Sequence, residues 1–251
     1  PATTTVDYPT KDITVVVPYG AGGTTDLCVR GVLDAVDKSV VTKNFIVSNV
    51  TGGSGLVGAS QFVNAKSDGY TIGVLNCDLV LNNVLGNTDI TSDQFVPLAC
   101  IENDPYLFVV SKDAPYQTFE EFVDYAKAHP GEVTVADTGA AVGQMDGGNI
   151  VPLAVTSNER LSTYPDVPAM GELYTELADM QVNSWIMVAV KADTDPEIIS
   201  FLQDAFAPAA VSDAYKATQE GFFFQPVEEM SNEDMLNFVA AQHSYYESLL
   251  K

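Results

Sequence analysis

The sequence is poor in positive charge, with 11 lysines and arginines against 34 aspartates and glutamates. The formal net charge of −23 repels a polyphosphate backbone, which argues against nucleic acid as a partner. The chain also lacks any run of about 20 uninterrupted apolar residues, the length that a membrane-spanning helix needs. We interpret it as a globular chain, because 46% of its 251 residues are hydrophobic and can form a core.

Histidine and cysteine are scarce as well. His129 and His243 lie in no zinc-ligand spacing, and Cys28, Cys77 and Cys100 contain no Cys-x-x-Cys pair. Three cysteines cannot all pair within one chain, so we expect buried thiols. The sequence offers little material for a histidine-based triad or metal centre, and we predict no catalytic residue, no metal and no cofactor.

The first hundred residues alternate between β-type runs and helical periodicity. Ile13 to Val17 is a continuous β-branched run, typical of a strand buried on both faces of a parallel sheet. A glycine-rich turn over 19–25 and a helix follow it. The pattern repeats as strand, glycine loop, helix and strand over 45–47, 51–55, 56–65 and 70–75. This alternation predicts an α/β fold with a mostly parallel sheet.

The rest of the chain predicts further strands over 97–101, 106–110, 133–136, 151–156 and 185–190. A turn is expected at Asn103-Asp104-Pro105. Thr118-Phe119-Glu120-Glu121 has the pattern of a capping box, which predicts a helix to about His129. Asp195-Pro196 predicts the start of a helix through Phe206. A last helix begins at 231–234, with an apolar stripe of Met235, Phe238, Val239, Tyr246 and Leu249.

The turn Gly20-Ala21-Gly22-Gly23-Thr24-Thr25 directs several backbone N–H groups to one spot at a helix N-terminus, where the helix dipole favours an anion. This is a candidate site for a carboxylate or a phosphate. A tight turn without ligand stays an alternative. A dinucleotide site is disfavoured, because the third glycine is missing and Asn44 or Asn49 replaces the expected acid. Asp26 is expected to stabilise the helix and to bond loop amides.

Two other chemical motifs are absent. Gly52-Gly53-Ser54-Gly55 lacks the last glycine of a nucleophile elbow, because Leu56 stands there. The carboxylates form no recognisable acid/base pair motif. Asp78, Asp89 and Asp93 are therefore expected to be solvated loop charges.

Several specific strings occur along the chain in a fixed order. They are VPYGAGGTTD over 17–26, NVTGGSGLVG over 49–58, DGYT over 68–71, Asn76, LAVTS over 153–157, Arg160 and PDVP over 165–168. Together they resemble the pattern of the tripartite tricarboxylate transporter receptors, the Bug-type solute-binding proteins. Matches extend from about residue 11 to the C-terminal helix, and the ordered set is more specific than any single glycine loop.

The resemblance implies a two-lobed, periplasmic-binding-protein-like (Venus flytrap) α/β fold, with mostly parallel sheets and crossing strands. Residues 1–103 and 184–251 would form lobe 1, and residues 104–183 would form lobe 2. The implied function is an extracytoplasmic solute-binding protein, a monomer and not an enzyme, that delivers a small carboxylate-bearing molecule to membrane permease subunits. The chain opens PATTTVDYPT without an apolar signal core, so we expect an export signal or lipid anchor to have been removed.

The family's ligand is held chiefly by loops that follow strands, with one carboxylate on the backbone amides of each lobe. Carried over by position, the lobe 1 candidates are Tyr19, Gly22, Gly23, Thr24, Thr25, Asp26 and Asn76. The lobe 2 candidates are Asp137, Thr138 and Gly139. Only Arg30 and Arg160 are available as guanidinium clamps, so loop amides and helix N-termini must do most of the anion binding.

Two departures from the family pattern affect this interpretation. Near 140–143 the chain lacks a segment of the family pattern on the order of 30 residues or more, more than one βαβ unit, so either the sequence leaves out an unordered segment or lobe 2 is truncated. Asp78 and Asp137 add negative charge near the expected cleft, which favours a zwitterionic ligand such as an amino acid as a rival to a di- or tricarboxylate. The bland alternative is that both acids face solvent.

Two other functions stay open at this point. One is an α/β enzyme or nucleotide-binding protein that uses Gly20 to Thr25 as a phosphate cradle. The other is a sensory receptor of the same fold.

Overall fold

The computed structural model describes residues 7–132, 148–161, 164–177, 182–222 and 224–250. The chain forms two compact units, one of Pro1–Asp104 with Ser184–Lys251 and the other of Pro105–Asn183. Each unit has a hydrophobic core of its own. No helix in the described part of the chain has both the length and the apolar character needed to cross a membrane.

The first unit is built on a five-stranded sheet with the strand order β2-β1-β3-β7-β4. Its strands are β1 (Ile13–Val17), β2 (Phe45–Asn49), β3 (Thr71–Asn76), β4 (Phe95–Pro105) and β7 (Asn183–Lys191). β1 pairs in parallel with both β2 and β3, whereas β3 pairs antiparallel with β7. The predicted α/β fold with a mostly parallel central sheet is confirmed.

Continuous apolar runs place the central strands in the interior. The β-branched run of β1 has four of its five residues buried, and β7 has six consecutive buried residues over 185–190. Such runs are expected where helices cover both faces of a sheet. The helices of this unit are α1 (Thr24–Ala35), α2 (Leu56–Val63), α3 (Cys77–Val84), α6 (Pro196–Ala210), α7 (Asp213–Gly221) and α8 (Asn232–Leu250).

Three strand-to-helix connections lie at the same edge of this sheet. The strands β1, β2 and β3 run in the same direction and are followed directly by α1, α2 and α3. The connecting loops therefore meet at the carboxyl edge of the strands, where ligands of open α/β sheets bind.

The second unit contains the antiparallel pair β5 (Leu107–Ser111) and β6 (Ile150–Val155), with the helices α4 (Phe119–Ala128) and α5 (Met170–Leu173). Its core is aromatic, with Phe108 packed against Phe119 and Phe122. Thr118 caps α4 by accepting from the Glu121 N–H at 3.2 Å. The Glu121 carboxylate accepts instead from the Gln117 N–H at 2.8 Å, so the expected capping box is only half formed.

The structure corrects three local predictions. The turn expected at Asn103-Asp104-Pro105 is wrong, because β4 continues to Pro105. A residue before proline is restricted to extended conformations, which suits a strand as well as a turn. Asp78 lies in the first turn of α3 and not in a loop. Leu249 is 58% exposed and does not belong to the buried stripe of the last helix.

Most other elements are close to their predicted positions. Asp195 caps α6 through the Glu197 N–H, with Pro196 in the first turn, as the sequence predicts. The helix continues beyond Phe206 to Ala210. All three cysteines are buried thiols, as expected. The strand predicted over 133–136 lies outside the described residues.

Candidate functional site

The turn between β1 and α1 exposes its backbone. Gly20, Ala21, Gly22 and Gly23 are all exposed, and Gly22 has the left-handed φ of +79° that favours glycine. Gly23 is the N-cap of α1, and no side chain caps the helix there. The first N–H groups of a helix have no partner within the helix. An exposed helix start without a side-chain cap is therefore suited to bind an anion.

Asp26 stabilises this turn from its buried side. Its carboxylate is almost fully buried, with the residue 1% exposed. One oxygen accepts from the Gly22 N–H at 2.8 Å and from Arg30 Nε at 2.9 Å, and the other accepts from Asn49 Nδ2 at 2.9 Å. Asp26 thus bonds a loop amide, the role that its sequence position suggests.

The surroundings of Asp26 keep it charged. Burial acts to raise the pKa of this carboxyl, but hydrogen bonds from Arg30, Gly22 and Asn49 outweigh burial and bring the pKa below its ordinary value. The same contacts occupy the Arg30 guanidinium, which also donates to Asn49 Oδ1 at 3.3 Å. Arg30 therefore neutralises Asp26 within the turn.

The second loop, between β2 and α2, approaches Tyr19 through a glycine. Residues 52–55 all have positive φ angles, and Gly55 is the N-cap of α2. A Cβ at Gly55 would lie 2.9 Å from Tyr19 Oη, so a larger residue would displace the phenol. A Cβ at Gly58, in the first turn of α2, would lie 2.7 Å from Pro18 Cα. The first and second loops are therefore in direct contact.

The third connection, from β3 to α3, completes the group through Tyr19. Asn76 caps α3 by accepting from the Leu79 N–H at 3.2 Å, and its Nδ2 donates to Tyr19 Oη at 2.8 Å. The Tyr19 hydroxyl donates in turn to Asp78 Oδ2 at 2.5 Å. Burial, with the adjacent Asp78 charge, raises the pKa of Tyr19 well above its ordinary value, so the phenol remains a donor at neutral pH.

The candidates predicted for the first unit therefore lie at one edge of one sheet. Contacts connect Tyr19, Gly22, Asp26 and Asn76 directly or through Asn49. Gly23 and the half-buried Thr24 form the start of α1, and Thr25 is buried. The candidates Asp137, Thr138 and Gly139 lie outside the described residues.

The sequence missed one contributor to this group and left a second one open. Asn49 donates to the Tyr19 carbonyl at 3.0 Å as well as to Asp26, and it is the last residue of β2. Its position directly after an apolar strand, beside a glycine loop, was the available signal. Asp78 was expected to be either a solvated loop charge or an acid near the cleft, and it accepts from Tyr19.

Arg160, the other guanidinium of the chain, pairs with both carboxylate oxygens of Glu172 in the second unit. Among the described residues, no group of three or more His, Cys, Asp or Glu side chains is placed to hold a metal ion. What the first unit presents is an amide-lined turn with hydrogen-bonding side chains beside it.

Proteins of known sequence are similar to most of this chain. It is 27% identical to a protein of Cupriavidus necator, described as the UPF0065 protein in the gbd 5′ region, over 87% of this chain and 80% of that protein. Protein BugT of Bordetella pertussis is 24% identical over 84% of this chain and 81% of its own length. The first alignment spans 269 positions, more than the 251 residues of the chain, so it places gaps in this chain.

Solved structures share the fold. A TctC solute-binding protein from Polaromonas has a TM-score of 0.71 and 26% identity, covering 97% of this chain and 99% of its own. The protein MatC from Rhodopseudomonas palustris, solved with bound malate, has a TM-score of 0.85 and 20% identity over 97% of this chain and all of its own. The family model of the tripartite tricarboxylate transporter family receptor matches residues 28–145 and 132–251. The chain belongs to the tripartite tricarboxylate transporter receptor family.

Proposed function

We propose that this chain is an extracytoplasmic receptor that captures a small carboxylate-bearing molecule and presents it to membrane permease subunits. It acts as a monomer and makes or breaks no bond in its ligand. Membership of a transporter receptor family supports this function. The fold neighbour BugD, at a TM-score of 0.80 and 18% identity, is described as a periplasmic binding protein.

The exposed turn at the start of α1 is the observation that carries the proposal. The first N–H groups of α1 have no side-chain cap, whereas the Gly22 amide bonds Asp26 and the Gly23 amide bonds the Gly20 carbonyl, which holds the turn in place. A rigid set of N–H groups at a helix N-terminus binds a carboxylate without needing a cation. That suits this site, since Arg30 is engaged with Asp26 and Asn49.

The carboxyl edge of β1, β2 and β3 is less suited to bind a nucleotide. In dinucleotide-binding sheets an acid near the end of the second strand binds the ribose hydroxyls. Here Asn49 occupies that place, and its amide already donates to Asp26 and to the Tyr19 carbonyl. Asn49 therefore serves the turn itself.

Two fold neighbours suggest the first ligands to test. MatC was solved with malate, and a second Rhodopseudomonas palustris protein, at a TM-score of 0.81 and 23% identity, was solved with adipate. We would titrate the purified chain calorimetrically with malate, adipate, citrate, amino acids and ATP. We expect saturable one-to-one binding of a carboxylate, and a ligand at 100 times its Kd should add about 2.7 kcal/mol of stability.

Gly22 and Gly86 offer a matched pair of variants. Both have φ angles near +75°, and a Cβ at either meets no atom within 4 Å. Gly22→Ala and Gly86→Ala should therefore lose similar stability, on the order of 1 kcal/mol. Only Gly22→Ala should weaken ligand binding, by roughly tenfold in Kd, because its methyl group changes the conformation of the amide turn. Tight ATP binding without any response to carboxylates, or equal effects of the two variants on affinity, would contradict the proposal.

A further inference from the structure

Asp78 brings a negative charge to the binding edge that no described cation neutralises. The other acid of this edge, Asp26, is paired with Arg30 at 2.9 Å and is 1% exposed. Asp78 has a different environment, since it is only partly buried and no described lysine, arginine or histidine forms an ion pair with it. Of the two acids, Asp78 is therefore the one whose charge no described cation offsets.

The position of Asp78 is fixed by its neighbours. It lies in the first turn of α3, and one carboxylate oxygen accepts the Tyr19 hydroxyl at 2.5 Å. Tyr19 is itself held by Asn76 at 2.8 Å and by the close approach of Gly55. In the described part of the chain, Tyr19 is the one side chain that donates to the Asp78 carboxylate. The second oxygen has no such donor.

The arrangement creates opposite preferences on the two sides of Tyr19, which directly precedes Gly20 and donates to Asp78. The turn over Gly20 to Gly23 favours a carboxylate, whereas Asp78 repels one and attracts an ammonium group or another N–H donor. A carboxylate bound at the turn would lie near an acid that no described cation neutralises, a cost of the kind that sets specificity between similar ligands. A molecule with both a carboxylate and an ammonium group meets both demands.

We propose that Asp78 is a specificity-determining residue that selects a carboxylate carrying an ammonium group, such as an amino acid, over the matched carboxylate without one. This inference rests on the proposed function, because it assumes that the ligand binds at the carboxyl edge of β1, β2 and β3. Tyr19 is a positioning residue, since it orients the Asp78 carboxylate.

The test uses ligand pairs that differ only by an α-amino group. We would measure affinities calorimetrically for aspartate and succinate, glutamate and glutarate, and phenylalanine and 3-phenylpropanoate. The unmodified chain should bind the amino member of at least one pair roughly tenfold or more tightly, and Asp78→Asn should abolish or reverse that ratio. Asp78→Ser removes the same charge with another residue suited to a first helical turn, should the asparagine variant fold poorly.

Asp89→Asn is the matched control, because it removes one negative charge from an exposed position just beyond α3. It should leave the ratio unchanged. Equal affinities within each pair, or a ratio that survives in both Asp78 variants, overturn the inference and leave carboxylate binding intact. If no carboxylate, with or without an amino group, binds to the unmodified chain, the proposed function fails as well.

Discussion

Asp26 and Asp104 are both shielded carboxylates of the first unit, and their surroundings act on the charge in opposite directions. Asp26 receives three hydrogen bonds from N–H groups that favour its charged form. Asp104 accepts one from the Gln225 N–H at 2.9 Å, and its other oxygen is buried with no hydrogen-bond partner among the described residues. Burial raises the pKa of Asp104 and outweighs the opposing effect of the Gln225 hydrogen bond, so that the pKa is about 6.

For Asp26 we expect loss of stability when the charge is removed. Asp26→Asn would place an N–H donor among the donors Gly22, Arg30 and Asn49, and leaving buried groups unpaired costs about 1–3 kcal/mol. Asp34→Asn is the control, because Asp34 is an exposed acid on the same helix. Urea unfolding should show the loss for Asp26→Asn alone, and faster hydrogen exchange at the Gly22 amide should accompany it. Equal midpoints for the two variants would contradict this role.

For Asp104 we expect the opposite effect, a gain of stability at neutral pH when the charge is removed. The folded chain holds this proton at a higher pH than the unfolded chain, whose carboxyl titrates near its ordinary pKa of 3.8. The contribution to stability is therefore favourable below that value and is lost as the pH rises towards about 6. Asp104→Asn should be more stable than the unmodified chain at pH 7, by up to about 3 kcal/mol, and should lose that advantage near pH 4.

Urea unfolding of both chains across this pH range measures the Asp104 effect directly. The difference between their free energies of unfolding isolates this residue, since the other acids are common to both. Among the described residues, Cys28 and Cys100 act electrostatically with Asp104, and burial raises the pKa of both thiols. A difference that stays constant with pH would show that Asp104 does not titrate differently in the two states.

At the level of elements, α2 packs closely against the first loop because residue 58 is a glycine. A Cβ there would lie 2.7 Å from Pro18 Cα and 2.8 Å from the Val50 carbonyl, both backbone atoms that cannot rotate away. Alanine in a helix is favoured over glycine by about 1 kcal/mol, but overpacking typically costs 1–3 kcal/mol. Gly58→Ala should therefore be destabilising despite the better helix propensity.

Gly221 provides the matched control for α2. It is a helical glycine at the end of α7, and a Cβ there meets no atom within 4 Å. Gly221→Ala should leave thermal stability unchanged or slightly raised, whereas Gly58→Ala should lower the Tm and weaken ligand binding through Pro18 and Tyr19. A stabilising Gly58→Ala would mean that α2 moves away from the loop without cost.

The sequence predicts an element correctly where its own residues carry the whole signal. β1 is a continuous β-branched run, and Asp195-Pro196 is sufficient to locate the start of α6. The helix α7 was not predicted, because only Tyr215 and Gln219 of its nine residues are buried and no apolar stripe forms. Its place depends on packing against Gly31 of α1, where Thr218 and Tyr215 lie within about 3 Å of the missing Cβ. That contact is tertiary and leaves no local pattern.

In the candidate site too, some features follow from local sequence and others depend on tertiary contacts. Glycine spacing is sufficient to predict an exposed amide turn over 20–23, because few other sequences favour one. The partnership of Asn49 with Asp26 depends on the sheet register, in which Asn49 lies opposite Val17. The contact between Tyr19 and Asp78 spans 59 residues and requires the order β2-β1-β3. Such contacts follow from topology, which a single sequence specifies only weakly.

Over the whole molecule, the net charge of −23 outweighs the attractive pairs. Four lysine or arginine ion pairs occur among the described residues, and each has at least one partner with more than a third of its side chain exposed. Exposed pairs contribute about 0–1 kcal/mol each. Mutual repulsion between the remaining acids therefore dominates the long-range electrostatics and opposes the compact state.

We accordingly expect salt to stabilise this chain. Raising NaCl from ~0.01 M to ~0.15 M shortens the Debye length from ~30 Å to ~8 Å, which screens repulsion between distant acids. The urea midpoint at pH 7.5 should rise, and the association rate of a dicarboxylate should rise with it because the ligand is repelled less. Near pH 4.1, where the sequence has no net charge, both effects should vanish. A midpoint that falls with salt at pH 7.5 would mean that the ion pairs, not the excess acids, control the stability of the fold.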